Sequence, residues 1–369
     1  MAVVSDRLVC RACGVATDPL GVQYCDRCFG PLDLVDLPTV DAPRTPLVAA
    51  PGVGERLGLR DLWLKDETAN PTGSFKDRVV AAAADRAVAI GAPVLACSST
   101  GNLARALAVR AAAGGPRAVV VVPRTLGEAE REALVGQGAT VVVVDGDYDA
   151  ANRVAAEAAE DLPDWGWVNG NLRPWYSSGA ATVGVELATQ GPPGLGPPDQ
   201  VVLPMASGAL AFQVHRALPE ARLVVAQPAG CAPVADAFTR GDDEVRPVRS
   251  TTDVEVLAMG SPPDGDDVLG AARGTGGAVV AVPEDALDAL VDLVAGESGL
   301  AVDRASAVAL AGARRAVGDG FLDPSARTVV VLTGGSPRWP EAPVAAPGGT
   351  VTIPASSAAL RDAIGEEPA

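Results

Sequence analysis

Aromatic side chains make up only 4% of this 369-residue chain, histidine occurs once, and no stretch approaches the roughly 18 uninterrupted apolar residues that a membrane helix requires. A membrane-spanning role is therefore not expected. Nor is export, because residues 1–10 carry Asp6 and Arg7 where a signal peptide places an apolar run. The expected location is cytoplasmic. Long single-sign charge blocks are also lacking, and 48% of residues are hydrophobic, so the composition is that of a folded chain. Positive charge is scarce: 29 Lys and Arg stand against 46 Asp and Glu, a formal charge of -17. Such a surface repels phosphate backbones and anionic lipid, which makes nucleic acid a poor partner but permits a local cationic pocket for a small anion. At about 100 to 200 residues per domain, the length predicts two or three domains.

Cysteine is sparse and unevenly placed. Cys97 and Cys231 are isolated, whereas Cys10-Arg-Ala-Cys13-Gly14 and Cys25-Asp-Arg-Cys28 both fall in the first thirty residues. In a cytoplasmic chain, two such loops fit a metal site better than a disulfide framework. Four thiolates suit tetrahedral zinc, Gly14 lets the backbone curl toward sulfur, and a segment with so few apolar residues needs a metal's free energy to fold. A redox pair or free thiols is the competing reading. No histidine or carboxylate opens the set, so the expected zinc is structural and residues 1–37 are expected to form a small zinc ribbon.

Residues 38–54, rich in Pro and Gly, read as a linker. Beyond them, apolar β runs at 62–65, 94–97, 118–122, 140–144, 201–204, 223–227 and 328–333 alternate with Ala-rich helical stretches, one of which starts after Phe75. That alternation predicts an α/β fold with two open, mainly parallel sheets. The tail, 346–369, is expected to be loosely ordered.

In open parallel sheets, ligands gather where strands end and helices begin, because the first amides of a helix are unpaired and favour anions. Three such junctions are small and polar: Ser98-Ser99-Thr100-Gly101-Asn102, Met205-Ala206-Ser207-Gly208-Ala209-Leu210 and Thr333-Gly334-Gly335-Ser336. Taken singly, each also has the composition of an ordinary helix cap. Lys76 adds weight. It follows Phe75 in a turn rich in Pro, Thr, Gly and Ser and opens a helix, where the macrodipole disfavours a cation and favours a nucleophilic amine. A lysine that merely reaches solvent is the competing reading. The lone histidine, His215, and Trp165, Trp167 and Trp175 are expected to pack.

Asn70-Pro-Thr-Gly-Ser-Phe-Lys76-Asp-Arg78 resembles the cofactor-lysine motif of threonine synthases, which belong to the tryptophan-synthase-β-like, fold-type II enzymes that use pyridoxal phosphate. Ser99-Thr-Gly-Asn102 is similar to the asparagine loop of the same family, and some members carry a four-cysteine ribbon. The resemblance implies that Lys76 bonds the cofactor aldehyde and moves the substrate's α proton. It implies that Asn102 bonds the ring hydroxyl while amides of Ser99, Thr100, Gly101 and Asn102 hold the substrate α-carboxylate. Ala206, Ser207, Gly208, Ala209 and Leu210 would hold the cofactor phosphate through backbone amides. Thr333 would face the pyridine nitrogen with a neutral hydroxyl, which favours elimination and replacement over transamination. The implied layout is a large cofactor domain, 38–85 with 186–345, and a small α/β domain, 86–185. A homodimer follows from the resemblance alone.

Two departures bear on the substrate. The family's glycine- and asparagine-rich phosphate loop is replaced by Ala206-Ser207-Gly208-Ala209-Leu210, and Tyr176 stands where an arginine meets a phosphate leaving group, with Arg173 nearby in sequence. A tyrosine offers one neutral hydrogen bond in place of a charge-assisted fork, so recognition of a phosphate dianion should weaken. The first expectation is a lyase of amino-acid metabolism that converts O-phosphohomoserine to threonine and phosphate. The competing expectations are β-elimination or β-replacement on serine, threonine or a phosphoserine-like amino acid, and a non-catalytic homologue that binds a metabolite or partner protein.

Overall fold

The computed structural model describes residues 7–17, 24–39, 44–191, 196–340 and 348–364. These residues form two units, one drawn from Leu37–Phe75 and Ala180–Pro337, the other from Val3–Asp36, Lys76–Gly179 and Arg338–Ala369. The divisions fall at residues 75/76 and 179/180, against the 85/86 and 185/186 of the sequence reading. No helix among the described residues is long and apolar enough to cross a membrane.

At the amino terminus, β1 (Leu8–Cys10), β2 (Ala16–Thr17) and β3 (Leu32–Leu34) form a small antiparallel sheet in the order β2-β1-β3. Leu8, Leu32 and Leu34 are its buried leucines, and Arg11 forks onto Asp33 at 2.6 and 3.0 Å. So small a core cannot hold a sheet by burial alone.

The remaining strands, in chain order, are β4 (Leu47–Ala49), β5 (Asp61–Asp66), β6 (Val94–Ser98), β7 (Arg117–Pro123), β8 (Thr140–Val144), β9 (Gly166–Trp167), β10 (Gln200–Pro204), β11 (Arg222–Pro228), β12 (Ala278–Val282), β13 (Arg327–Leu332) and β14 (Thr350–Ile353). In the first unit they run β12-β11-β10-β13-β5-β4, parallel except for β4, which pairs antiparallel with β5. In the second they run β14-β8-β7-β6-β9, all parallel. Parallel strands covered on both faces need apolar residues on both, and Val119, Val120, Val121 and Val122 of β7 are all fully buried. Each such side chain contributes about 1.5–3 kcal/mol relative to exposure.

The order of the strands locates the places where a ligand can enter. From β10 the chain adds β11 and β12 in one direction, and β13 then returns to the opposite side of β10. From β6 it adds β7 and β8, and β9 returns to the opposite side of β6. Successive crossovers on either side of such a reversal leave by opposite faces, so a crevice opens beyond the carboxyl ends of the strands at each switch point. The three polar junctions of the sequence, after β6, β10 and β13, all lie at these two points.

Two expectations are corrected. Within 38–54, Leu47–Ala49 is an edge strand and Pro51–Leu57 a helix, and residues 40–43 lie outside the described residues. In the tail, Thr350–Ile353 extends the second sheet beside β8, and the helix Ser357–Ile364 buries Leu360 and Ile364. The alternation of threonine with β-branched apolar residues in β14 is a strand signal that the surrounding Pro, Ala and Gly obscure. Residues 341–347 and 365–369 of that tail lie outside the described residues.

A buried ion pair lies in the first unit. Lys65 of β5 is fully buried, and its Nζ donates to Glu186 Oε2 (2.6 Å), Gln190 Oε1 (2.6 Å) and the Thr45 carbonyl (3.0 Å). All three ammonium hydrogens are used. Glu186→Ala leaves that ammonium buried without its counter-charge, for an expected loss of roughly 3–5 kcal/mol. Urea unfolding of the variant checks it through a lowered midpoint.

Candidate active site

The turn that leads into Lys76 is sewn to the end of β13. The Phe75 N–H donates to the Thr333 carbonyl at 3.0 Å, the Gly335 N–H donates to the Gly73 carbonyl at 3.0 Å, and Ser74 bridges to Gly334. Gly334 is gripped in turn by Ser306, whose hydroxyl donates to the Gly334 carbonyl (2.9 Å) and accepts from its N–H (3.2 Å). Asp303 caps the helix Arg304–Gly318 by accepting from the Ser306 N–H at 2.8 Å; burial pushes its carboxyl up, and the Ser306 donors pull it back. Thr333 itself is buried at this strand end.

Lys76 opens the helix Lys76–Ala89, and its Nζ donates to Tyr176 Oη at 2.5 Å while lying 5.1 Å from the centre of that ring. The two residues are a hundred positions apart, and a glycine lets them meet. A Cβ at Gly179, one turn after Tyr176 on the helix Arg173–Thr189, would lie 2.6 Å from the Arg78 carbonyl and 2.7 Å from Val79 Cα. Only without it can the two helix backbones touch, which brings Tyr176 onto the first turn of the other helix. Next to Tyr176, Ser177 Oγ is buried with no hydrogen-bond partner among the described residues. Arg173 begins the same helix one turn before Tyr176 and is half-buried. Trp175 is covered by Arg86, whose guanidinium lies 4.6 Å from its ring centre, and Trp165 stacks on Trp167, so all three tryptophans pack.

Beyond β6, Ser98 Oγ donates to Asn152 Oδ1 at 2.8 Å, and the Gly101 N–H donates to Ser99 Oγ at 3.3 Å. Asn102 starts the helix Asn102–Ala112, whose first turn has no side-chain cap, and its Oδ1 accepts from Arg105 at 2.8 Å. Arg105 lies over Trp339, and burial draws its guanidinium down while Asp77 and Glu130 act in the opposite sense. Beyond β10, the helix Ala209–Ala217 also starts without a side-chain cap, after Gly208 in the left-handed region at φ +97°. Ser207 tethers the loop through its carbonyl, which accepts from the Asp264 N–H at 3.0 Å. Ala206, Ser207, Gly208, Ala209 and Leu210 thus present backbone at the switch point in the first unit, beyond β10, which pairs with β13. His215 lies on that helix, half-buried, with burial pulling its imidazole down.

The structure therefore pairs Lys76 with Tyr176 in the second unit and sets the 206–210 loop beside Thr333 in the first. Sequence reasoning missed Gly179, Ser177, Arg105 and Ser306. Only the small-residue run Ser177-Ser178-Gly179-Ala180-Ala181 carried a signal, that of a close helix contact.

In the amino-terminal segment the sulfurs of Cys10, Cys13, Cys25 and Cys28 all lie within 4.8 Å of one another, with Cys10 to Cys28 at 3.5 Å and Cys13 to Cys25 at 3.6 Å. A tetrahedral ion with bonds of about 2.3 Å sets its sulfurs about 3.8 Å apart, so the four thiols fit such an ion. Each loop turns in the same way: the Gly14 N–H donates to the Cys10 carbonyl, and the Phe29 N–H to the Cys25 carbonyl.

Two parallel α/β units with polar strand-end junctions at their switch points, and a lysine opening a helix, define a ligand-binding enzyme scaffold of the α/β class. Residues 39–334 match the family described as pyridoxal-phosphate dependent enzymes, and the chain belongs to that family. It is 28% identical over 316 residues to a threonine synthase of Methanocaldococcus jannaschii, covering 82% of this chain and 76% of that protein. To a threonine synthase of Synechocystis sp. it is 30% identical over 316 residues, covering 81% and 78%. Among solved structures, the processed isoform 2 of threonine deaminase from Solanum lycopersicum superposes with a TM-score of 0.67 at 20% identity, covering 80% of this chain and 84% of that one. Diaminopropionate ammonia lyase from Escherichia coli gives 0.66 at 20% identity, covering 80% and 86%. These two bear on the fold alone, and that fold is the fold-type II arrangement.

Proposed function

We propose that the chain is a pyridoxal-phosphate-dependent carbon–oxygen lyase of the threonine-synthase kind, converting O-phosphohomoserine to threonine and phosphate. One observation carries the reading. The chain has only two lysines, and Lys65 is fully buried in its ion pair, so Lys76 is the one lysine amine that an aldehyde can reach. When bound, pyridoxal phosphate supplies an electron sink for the charge left when the α proton departs. Lys76 Nζ holds and moves that proton. Backbone amides of Ala206, Ser207, Gly208, Ala209 and Leu210 bind the phosphate group, as the uncapped helix start permits. Asn102, steadied by Arg105, bonds the ring hydroxyl, and the Thr333 hydroxyl serves the ring nitrogen. Amides of Ser99, Thr100, Gly101 and Asn102 take the substrate carboxylate, with Tyr176 and Arg173 at the leaving-group end. Incubation of the purified protein with O-phosphohomoserine is expected to release phosphate; none above a protein-free control removes the threonine assignment.

The phosphate cradle has its own test. A Cβ at residue 208 would sit 2.9 Å from Asp264 Cβ and 3.0 Å from Met205 Cε, on a backbone that only glycine adopts without strain. Gly208→Ala therefore adds about 1–3 kcal/mol of strain at the loop, and cofactor binding is expected to weaken roughly tenfold or more. Absorbance titration with pyridoxal phosphate reads it.

A second reading is favoured by the contact of Tyr176 with Lys76, where a guanidinium would suit a phosphate better. It is β-elimination or β-replacement on serine, threonine or a phosphoserine-like amino acid. A substrate panel read by 2-oxo acid formation separates the two, and silence with every hydroxy-amino acid counts against it. The four-cysteine cluster is assigned one structural zinc, and a homodimer, proposed from the family resemblance, is checked by light scattering.

A further inference from the structure

Lys76 Nζ donates to Tyr176 Oη at 2.5 Å. A phenol oxygen that accepts from an amine keeps its own O–H for a second acceptor. Tyr176 is 7% exposed, so that hydrogen is sheltered from bulk water, and the amine lies beyond the phenol oxygen, 5.1 Å from the ring centre. The contact is fixed by the backbone: Gly179 lets the Tyr176 helix lie against Arg78 and Val79, two and three residues beyond Lys76.

We propose that Tyr176 is the general acid of this site, passing the proton that Lys76 collects to the oxygen that leaves the substrate. The proposal rests on the reading of Lys76 as the amine that moves the α proton. Protons and electrons balance as follows. The α C–H bond breaks and an N–H bond forms at Lys76 Nζ. The ammonium gives a proton to Tyr176 Oη as Oη gives its own to the departing oxygen. The C–O bond breaks with its electron pair on that oxygen. Where the oxygen leaves Cβ, the pair left by the α proton becomes the Cα–Cβ double bond. In O-phosphohomoserine the oxygen leaves Cγ, so Lys76 takes a Cβ proton as well, the pair of that C–H bond becomes the Cβ–Cγ double bond, one of the two protons passes through Tyr176 to the phosphate oxygen and the other returns to the carbon skeleton. Lys76 and Tyr176 end as they began. Hydroxide and the phosphate trianion are both poor leaving groups, and one proton turns them into water-like or dianionic products. The substrate class is thus an amino acid whose side chain carries an oxygen leaving group that must be protonated, whichever of the two readings above holds.

Tyr176→Phe tests this, because it keeps the ring and its packing and removes only the hydroxyl. Elimination from O-phosphohomoserine or serine by the holoenzyme is expected to fall about 100-fold, whereas elimination from β-chloroalanine, whose chloride needs no proton, falls at least about tenfold less. An equal loss with oxygen and chloride leaving groups, or no loss with either, overturns the proposal. So does a wild type that eliminates chloride but leaves every oxygen substrate untouched. A second arm needs no turnover. In the full-length chain before cofactor is added, Lys76 is labelled with trinitrobenzenesulfonate at neutral pH. Loss of the acceptor oxygen is expected to speed labelling about threefold or more, since it frees the amine from the hydrogen bond that occupies it. An unchanged labelling rate overturns the Nζ to Oη proton contact. A chain that takes up no pyridoxal phosphate defeats the reading of Lys76, and the labelling arm still decides the contact.

Discussion

Lys76→Ala is expected to yield a colourless protein with turnover reduced by about 10³-fold or more, because the change removes at once the amine proposed as the cofactor's tether and as the base that moves the α proton. Lysine scarcity makes this test unusually clean. In many proteins a neighbouring lysine can form an adventitious bond to the aldehyde. Here the only other lysine, Lys65, is fully buried with its three hydrogens committed to Glu186, Gln190 and Thr45. Borohydride treatment of the wild type is expected to fix one cofactor per chain on the peptide that contains residue 76 and none on the peptide that contains residue 65. The variant is expected to fix none. Lys76 is only half-buried at a helix start, so its removal leaves the fold nearly untouched and the melting temperature within a few degrees of the wild type. A Lys76→Ala protein that is still yellow, and still fixes cofactor on reduction, would sink the assignment of this amine.

The features legible in the sequence are those set by local pattern. Valine-rich runs such as 118–122 and 140–144 can satisfy only strands buried on both faces, and both are strands in the second sheet. Lys76 and the three polar junctions were legible because turn chemistry is written in consecutive residues. Their placement at switch points was not, since strand order depends on which crossovers return. The hidden features involve residues distant in sequence. Nothing local says that Glu186 will neutralise Lys65, 121 positions away, or that Tyr176 will meet Lys76. Two-residue β9 leaves no periodic signal, and the signal of β12 is weak because Ala278 and Ala281 dilute its valines toward the Ala-rich look of the helices. Gly179 sits in a small-residue run that signals a close helix contact, but the backbone it meets, at Arg78 and Val79, is not written locally.

Removal of the amino-terminal metal is expected to unfold the ribbon. The segment has three short strands, of three, two and three residues, a handful of buried leucines and one Arg11–Asp33 fork. Its conformational entropy costs about 1–2 kcal/mol for each ordered residue, which that amount of burial cannot offset. Four thiolates on one zinc contribute an apparent 10–16 kcal/mol, roughly, in comparable small peptides near neutral pH, which is enough to close the gap. The backbone is strained at the same place: Phe29 is held at φ +58°, a left-handed conformation that a bulky side chain adopts at a cost, and its amide turns back onto the Cys25 carbonyl. Metal analysis of the purified chain is expected to find about one zinc per chain, and Cys25→Ser to lower that to near zero. Proteolysis should then cut within residues 7–39 of the variant and spare the same region of the wild type. Because thiolates must be deprotonated to bind, the wild-type ribbon should lose zinc to a chelator faster as the pH falls. A zinc content well below one per chain with the four cysteines still reduced, together with a protease-resistant Cys25→Ser ribbon, would show that burial and the Arg11–Asp33 pair suffice and that the cluster of sulfurs is not a metal site.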